Sequence, residues 1–341
     1  MAQPFLSKSR YLAGMQCLKY LWLLVNDPDK VPRPDAMTQH VFDQGHLVEQ
    51  LARKLFADGT EVPFDNFQGN IRLTRNFLKE RRTLFQAGIM AGSLYSRLDV
   101  LKPSGEAAWD IIEIKSSTKV KEENLHDISF QKYCCQQQGL AIDRCYLVHV
   151  NNQYVRSGEI DPKRLFDMED VTEAAAAAAE GIETRIKTML DTLKATACPE
   201  TRVGTHCRSP YECAVTLCLE SLPDNNVLHL YRGGRKGFDL LYEGIRYLRD
   251  IPESVKLTDS QQIQKWCDAN SCAHTDADSI RAFLTTLEYP VYYLDFETFN
   301  TAVPLFDGTR PYQNIPFQFS VHVVDRPGSM PWPFSFLASG P

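Results

Sequence analysis

The chain has 341 residues, more than a single hydrophobic core usually supports, so two domains or one domain with appendages is the starting expectation. Its 43% apolar and 23% charged residues match an ordinary globular protein, and the formal charge of −6 excludes a global electrostatic pull toward nucleic acid. No apolar run nears the roughly 18 residues of a membrane helix and the start, MAQPFLSKSRYLAG, lacks a signal-peptide layout, which predicts a cytoplasmic protein with no membrane partner.

Ten cysteines without an export signal predict reduced thiols serving a metal or the core rather than a disulfide framework. Along the chain, FDQGHLVEQLARKLF (Phe42 to Phe56) sets Leu47, Leu51 and Leu55 at helical spacing, with Gly59 as a stop. The stretch Arg72, Arg75, Lys79, Arg81 and Arg82 is either a local nucleic-acid patch or a solvated helix face. Gly92–Leu101 and Trp109–Ile114 alternate or run apolar around Pro103-Ser104-Gly105-Glu106, which predicts a hairpin. A helix over Ile128–Gln138 and a strand over Asp143–Asn151 complete a strand–strand–helix–strand α/β core. A long helix is expected over Val171–Ala195, then a cysteine-rich knot, then a helical connector across Asn225–Leu284, broken by Gly233-Gly234 and Pro252. Strands follow at Tyr289–Phe296 and Phe317–Val324.

The chemistry is concentrated in Asp99 and in Glu113-Ile114-Lys115. Pairing across the hairpin brings Asp99 within reach of Glu113, and strand alternation sends Glu113 and Lys115 to one face. Two such carboxylates can hold a hard divalent cation, and the lysine can oppose charge developing on a phosphodiester. Taken alone this pattern is commonplace on strands; its order after Gly45 and Glu49 and before Gln131 is what distinguishes it. That order resembles the RecB-like branch of the PD-(D/E)XK nucleases. The resemblance spans about Leu6 to Leu219 and implies a restriction-endonuclease-like mixed sheet flanked by helices. It implies an Mg²⁺ or Mn²⁺ site formed by Asp99, Glu113 and the Ile114 carbonyl, with Glu49 or His46 completing the shell, Lys115 as catalytic lysine and Gln131 as an orienting residue. Where that family often has a tyrosine four residues after the glutamine, this chain has Cys135.

Cys207, Cys213 and Cys218 are separated by five and four residues, unlike the paired spacing of most zinc ribbons, which calls for a distant fourth ligand. Cys17 is the candidate and Cys198 a substitute; Cys134, Cys145, Cys267 and Cys272 read as small buried apolar residues. The set resembles the iron–sulfur RecB-like nucleases of the CRISPR-associated and AddAB type, in which one cysteine precedes the first motif and three follow the last strand. This implies a 4Fe-4S cluster on Cys17, Cys207, Cys213 and Cys218, with structural zinc as the alternative.

YPVYYLDFETFN places Asp295 and Glu297 on one face at a strand end, suited to a two-metal site. It resembles the first motif of DnaQ-like exonucleases of the ribonuclease H-like fold, and the whole arrangement resembles an uncharacterised bacterial domain family joining the two nuclease types. Because little sequence follows, a truncated ribonuclease H-like segment is expected. The expected division is 1–222 nuclease, 223–286 connector and 287–341 incomplete exonuclease. The expected function is a metal-dependent deoxyribonuclease, an exonuclease acting on single-stranded DNA or duplex ends. Protein partners of the DNA-repair or CRISPR type are compatible with it. The rival readings are an inactive nucleic-acid-binding or scaffolding module and an RNA nuclease.

Overall fold

The computed structural model describes residues 5–339, which divide into two compact units, Met1–Leu222 and Pro223–Pro341. The first unit runs β1 (Leu6–Ser7), α1 (Lys8–Gln16), α2 (Leu18–Asn26), α3 (Ala36–Ala52), β2 (Thr60–Glu61), α4 (Phe67–Lys79), β3 (Leu84–Ala91), β4 (Leu94–Ser104) and β5 (Ala108–Ile114). It continues through α5 (Glu122–Gln137), β6 (Ile142–Val150), α6 (Pro162–Leu165), β7 (Phe166–Asp170), α7 (Thr172–Ala178), α8 (Ile182–Lys194) and α9 (Leu217–Glu220). Its strands form one mixed seven-stranded sheet in the order β2-β3-β4-β5-β6-β7, with β1 pairing parallel to β4. The pairs β3–β4, β4–β5 and β6–β7 are antiparallel, and β5–β6 is parallel with α5 as its crossover.

The predicted hairpin is β4–β5. Its turn is shorter than Pro103–Glu106, since Pro103 and Ser104 still pair with Trp109 and Ala108, and the reversal falls at Gly105, whose φ of +51° favours a residue without a Cβ. Gly92 likewise turns the chain (φ +60°) rather than opening β4, because a further strand, β3, precedes it. The alanine-rich helix is two helices: Gly181 sits at φ +70° between α7 and α8, a conformation that ends a helix. Helix α3 starts earlier than its apolar spacing indicates, at Asp35, whose carboxylate accepts from the Thr38 N–H at 2.8 Å. It buries Val48 and Ala52, while Leu47 is exposed, so the inward face lies one residue from the predicted stripe.

The core lies between the sheet and α1, α5, α7 and α8. Tyr11 of α1 stacks on Phe130 of α5 with ring centroids 4.6 Å apart. A Cβ at Gly14 would meet the Met189 sulfur at 2.8 Å, so glycine lets α1 lie close to α8. Truncating the fully buried Phe130 to alanine would cost about 3–5 kcal/mol. Cys134, Cys135 and Cys145 are all buried in this core. Cys135, at the position where a tyrosine was expected, is therefore a packing residue.

The second unit has a helical part, α10 (Arg235–Tyr242), α11 (Asp259–Asn270) and α12 (Ala277–Leu284), followed by β8 (Val291–Phe299), β9 (Ile315–Val324) and β10 (Trp332–Leu337). Val227, Leu230, Leu240, Leu248 and Ile251 form its small core. Strands β8–β10 make an antiparallel three-stranded sheet, the third strand lying beyond the two predicted. In this sheet Tyr293 and Phe319 are exposed, whereas Val291 and Val321 are half-buried. Cys267 is half-buried and Cys272 exposed, which corrects their reading as core thiols.

Candidate active site

Register alone begins the site. Val100 faces Ile112 across β4–β5, so one step further Asp99 faces Glu113, and the Ile114 N–H donates to Asp99 Oδ2 at 2.9 Å. Lys115 follows the last residue of β5, tied to β6 by its N–H donating to the Val148 carbonyl at 2.9 Å. Its ammonium turns back onto the face of Glu113 and donates to Glu113 Oε1 at 2.6 Å.

Helix α5 closes the site from the other side. Asp127 and Gln131 are one turn apart and share its inward face. Lys115 Nζ donates to Asp127 Oδ2 at 2.6 Å, and the Gln131 amide donates to Glu113 Oε2 at 2.6 Å and Asp127 Oδ1 at 3.0 Å. Gln131 is fully buried, yet its Oε1 has no partner, leaving one acceptor in the site. Asp127 was not anticipated, although its four-residue spacing from Gln131 was in the sequence.

Two further residues were missed. Lys8, the first residue of α1, donates to Glu113 Oε1 at 2.9 Å and stands 3.9 Å from both Asp99 Oδ1 and Asp127 Oδ2. Gln86 lies opposite Asp99 on β3 with φ +54°, an unfavourable conformation for a residue with a Cβ. Buried Asn70 holds it there: its amide donates to the Gln86 carbonyl at 3.2 Å, and Thr74 Oγ1 in turn accepts the Gly88 N–H at 3.0 Å. So aimed, the Gln86 amide donates to Glu49 Oε1 and lies 3.4 Å from Asp99 Oδ1. Glu49 also accepts from Arg53 Nε at 3.1 Å. His46 is exposed, and a Cβ on Gly45 would meet nothing within 4 Å.

Burial pushes the Asp99 carboxyl up to about 7, with the Glu113 charge adding to it. Burial raises Asp127 in the same way. Burial also opposes ionisation of Glu113, but the Lys115 and Lys8 ammoniums outweigh it and hold that carboxyl well below its usual range. For Lys115 burial acts to lower and the carboxylates of Asp127, Glu113 and Asp99 to raise; the carboxylates prevail and favour its ammonium form.

The predicted cluster cysteines converge. Cys17 sits between α1 and α2, Cys207 ends a short 3₁₀ turn, and Cys17, Cys207, Cys213 and Cys218 line one small cavity with Lys19 and Arg202. Cys198 is not among its lining residues. The loop closes on itself where the Cys213 N–H donates to the Cys207 carbonyl at 2.8 Å, and the Gln16 amide ties α1 to it through the carbonyls of His206 (2.9 Å) and Tyr211 (2.6 Å). Burial pushes the Cys207 and Cys213 thiols up, with neighbouring thiols adding to it, which is the environment a metal relieves by taking thiolates. Thiols are the donor type that a cluster or a thiolate-bound metal takes.

Of the basic stretch, Arg81 is structural: its guanidinium donates to the carbonyls of Ser104, Gly105 and Ala108 and lies over Trp109 at 5.0 Å, while Arg82 pairs with Glu80. Arg72 and Arg75 remain on the exposed side of α4. In the second unit, Asp295 and Glu297 are exposed on β8, opposite Ser320 and Gln318 of β9. Among the described residues, no group of three or more His, Cys, Asp or Glu side chains is arranged to hold a metal ion. None of the described helices is long and apolar enough to cross a membrane.

A family model described as Domain of unknown function (DUF2779) matches residues 292–340, the stretch that contains almost all of the three-stranded sheet. No curated protein matches the chain. What the fold and site define is thus a mixed α/β unit carrying a buried carboxylate–lysine cluster, joined in one chain to a helical region and a small sheet similar to that family.

Proposed function

We propose that the first unit is a metal-dependent nuclease that hydrolyses phosphodiesters in DNA, at single strands or duplex ends. The observation that carries this reading is the meeting of Asp99, Glu113, Lys115 and Gln131, from two strands and a helix, in one buried cluster. Asp99, Glu113 and the Ile114 carbonyl would hold Mg²⁺ or Mn²⁺, which when bound supplies Lewis acidity toward a phosphate oxygen and acidifies a water. Lys115 opposes the negative charge that grows on the phosphate. The unpartnered Gln131 Oε1 can accept a hydrogen bond from the attacking water and so orient it. Gln86 and Arg53 keep Glu49 turned toward Asp99.

A groove of about 730 Å³, whose lining includes Arg10, Tyr20, Phe42, His126 and Tyr211, offers aromatic faces on which unpaired bases can stack. Ser9 and His126, both of which line the groove, are the chain neighbours of Lys8 and Asp127, so the groove lies beside the cluster. We read Cys17, Cys207, Cys213 and Cys218 as the ligands of a 4Fe-4S cluster that fastens the N-terminal helices to the loop after α8. Asp295 and Glu297 we read as the start of a DnaQ-like site that is not catalytic in this chain.

The test is a panel of labelled single- and double-stranded DNA and RNA, incubated with the purified protein in Mn²⁺, Mg²⁺ or chelator. The reading predicts metal-dependent cleavage of DNA. Cleavage confined to RNA would reassign the substrate, and binding without cleavage in any metal would favour a scaffolding role.

A further inference from the structure

We propose that Lys8 is an internal cation that competes with the divalent metal for the carboxylates of the site; this rests on the metal-centre reading above. The backbone fixes where Lys8 starts. Leu6 and Ser7 pair with Leu94 and Tyr95 of β4, the Leu6 N–H donates to the Ser93 carbonyl at 2.8 Å, and Leu6 is fully buried. Ser7 then caps α1 by accepting the Arg10 N–H at 3.3 Å. From that anchor the Lys8 side chain runs to the middle of the cluster, 2.9 Å from Glu113 Oε1 and 3.9 Å from the nearest oxygens of Asp99 and Asp127.

A divalent ion held by Asp99 and Glu113 would draw on oxygens of both carboxylates, and the Lys8 ammonium, 2.9 Å from Glu113 Oε1 and 3.9 Å from Asp99 Oδ1, stands against those same oxygens. Charge says the same. With Glu49 neutralised by its ion pair to Arg53, ionised Asp99, Glu113 and Asp127 carry three negative charges against the two ammoniums of Lys8 and Lys115. Adding a divalent ion leaves one excess positive charge in a buried site, whereas exchanging Lys8 for it leaves none. Exposure does not separate the two ammoniums, at 23% for the Lys8 side chain and 25% for Lys115, but the ion pairs do: Lys8 has one close contact, at 2.9 Å, on a long and flexible stem. Lys115 is held by two ion pairs of 2.6 Å and stays. Lys8 is thus the exchangeable member of the pair, and metal affinity is set by the exchange.

The test is calorimetric titration of Mn²⁺ into the intact protein and into Lys8→Met, with Asp99→Asn as the control for the site. Removing the competing charge should tighten Mn²⁺ by about tenfold or more. Unchanged or weaker affinity in Lys8→Met would overturn the inference and leave the metal centre standing. Failure of wild type and Lys8→Met alike to take up more Mn²⁺ than Asp99→Asn would overturn the metal centre and the inference with it. A second measurement needs no variant. Acylation of the wild-type protein with an amine-selective reagent, mapped by mass spectrometry, should label Lys8 faster in saturating Mn²⁺ than in chelator; equal or slower labelling contradicts the exchange.

Discussion

Lys115 and Asp127 are joined by a 2.6 Å ion pair that locks the end of β5 to helix α5, with Asp127 only 1% exposed on its side chain. Cutting one partner from a buried pair leaves the other uncompensated, although Glu113 still faces Lys115 here. Asp127→Asn should therefore cost about 2 kcal/mol or more of stability and slow cleavage at least about tenfold by loosening the ammonium. Thermal melts and single-turnover rates measure both. Wild-type values for the two together would show that Asp127 has no part in positioning Lys115.

Asp99 supplies a pH dependence. Burial lifts its carboxyl from the ordinary 3.8 to about 7, so between those values the folded chain keeps a proton that the unfolded chain has lost. Stability attributable to Asp99 therefore falls as pH rises from about 4 to about 7, and levels above that. Asp99→Asn cannot lose a proton. In chelator, its stability relative to wild type should climb across that window, with a ceiling of about 4 kcal/mol. Denaturant titrations at a series of pH values read the difference, and a flat or falling difference is the contrary result.

Much of this site could be read from the chain because two simple rules place it. Strand alternation put Glu113 and Lys115 on one side, and a single short turn put Asp99 opposite Glu113. Gln131 came from family order, while Asp127, on the same helix face, was available from spacing and passed over. Lys8 could not be read: it reaches Glu113 across 105 residues from a helix end next to a two-residue strand. Gln86 was hidden differently. Its side chain points at Asp99 because the backbone there takes a positive φ, held by Asn70, and nothing in an apolar stretch such as LFQAGIMA announces that. The face of α3 was misjudged because Leu47, a good apolar signal, faces outward while the smaller Val48 and Ala52 pack.

The cysteine cavity predicts colour and composition. Protein purified without oxygen should be brown and carry iron and sulfide. Alanine at Cys17, Cys207, Cys213 or Cys218 should remove both and lower the melting temperature, since metal-binding energy is folding energy. Alanine at Cys198 should leave iron unchanged. Stoichiometric zinc without iron would assign the four thiols to a zinc site.

Asp295 and Glu297 face solvent on β8, and the acidic residues that follow, Asp307 and Asp325, are exposed in loops, so the carboxylates of a two-metal site are not gathered there. Asp295→Ala should leave nuclease activity within about twofold of wild type. A clear loss of cleavage with the fold intact, by circular dichroism, would place catalysis in the second unit.

The most direct measurement pairs cleavage with binding in Lys115→Ala. Lys115 is an ammonium whose contribution belongs to the transition state more than to ground-state affinity, so the variant should bind single-stranded DNA about as well as wild type and cleave it about a hundredfold or more slowly in Mn²⁺. Cleavage at the wild-type rate by a folded Lys115→Ala protein would contradict the assignment of the Asp99–Glu113–Lys115 cluster as the nuclease centre.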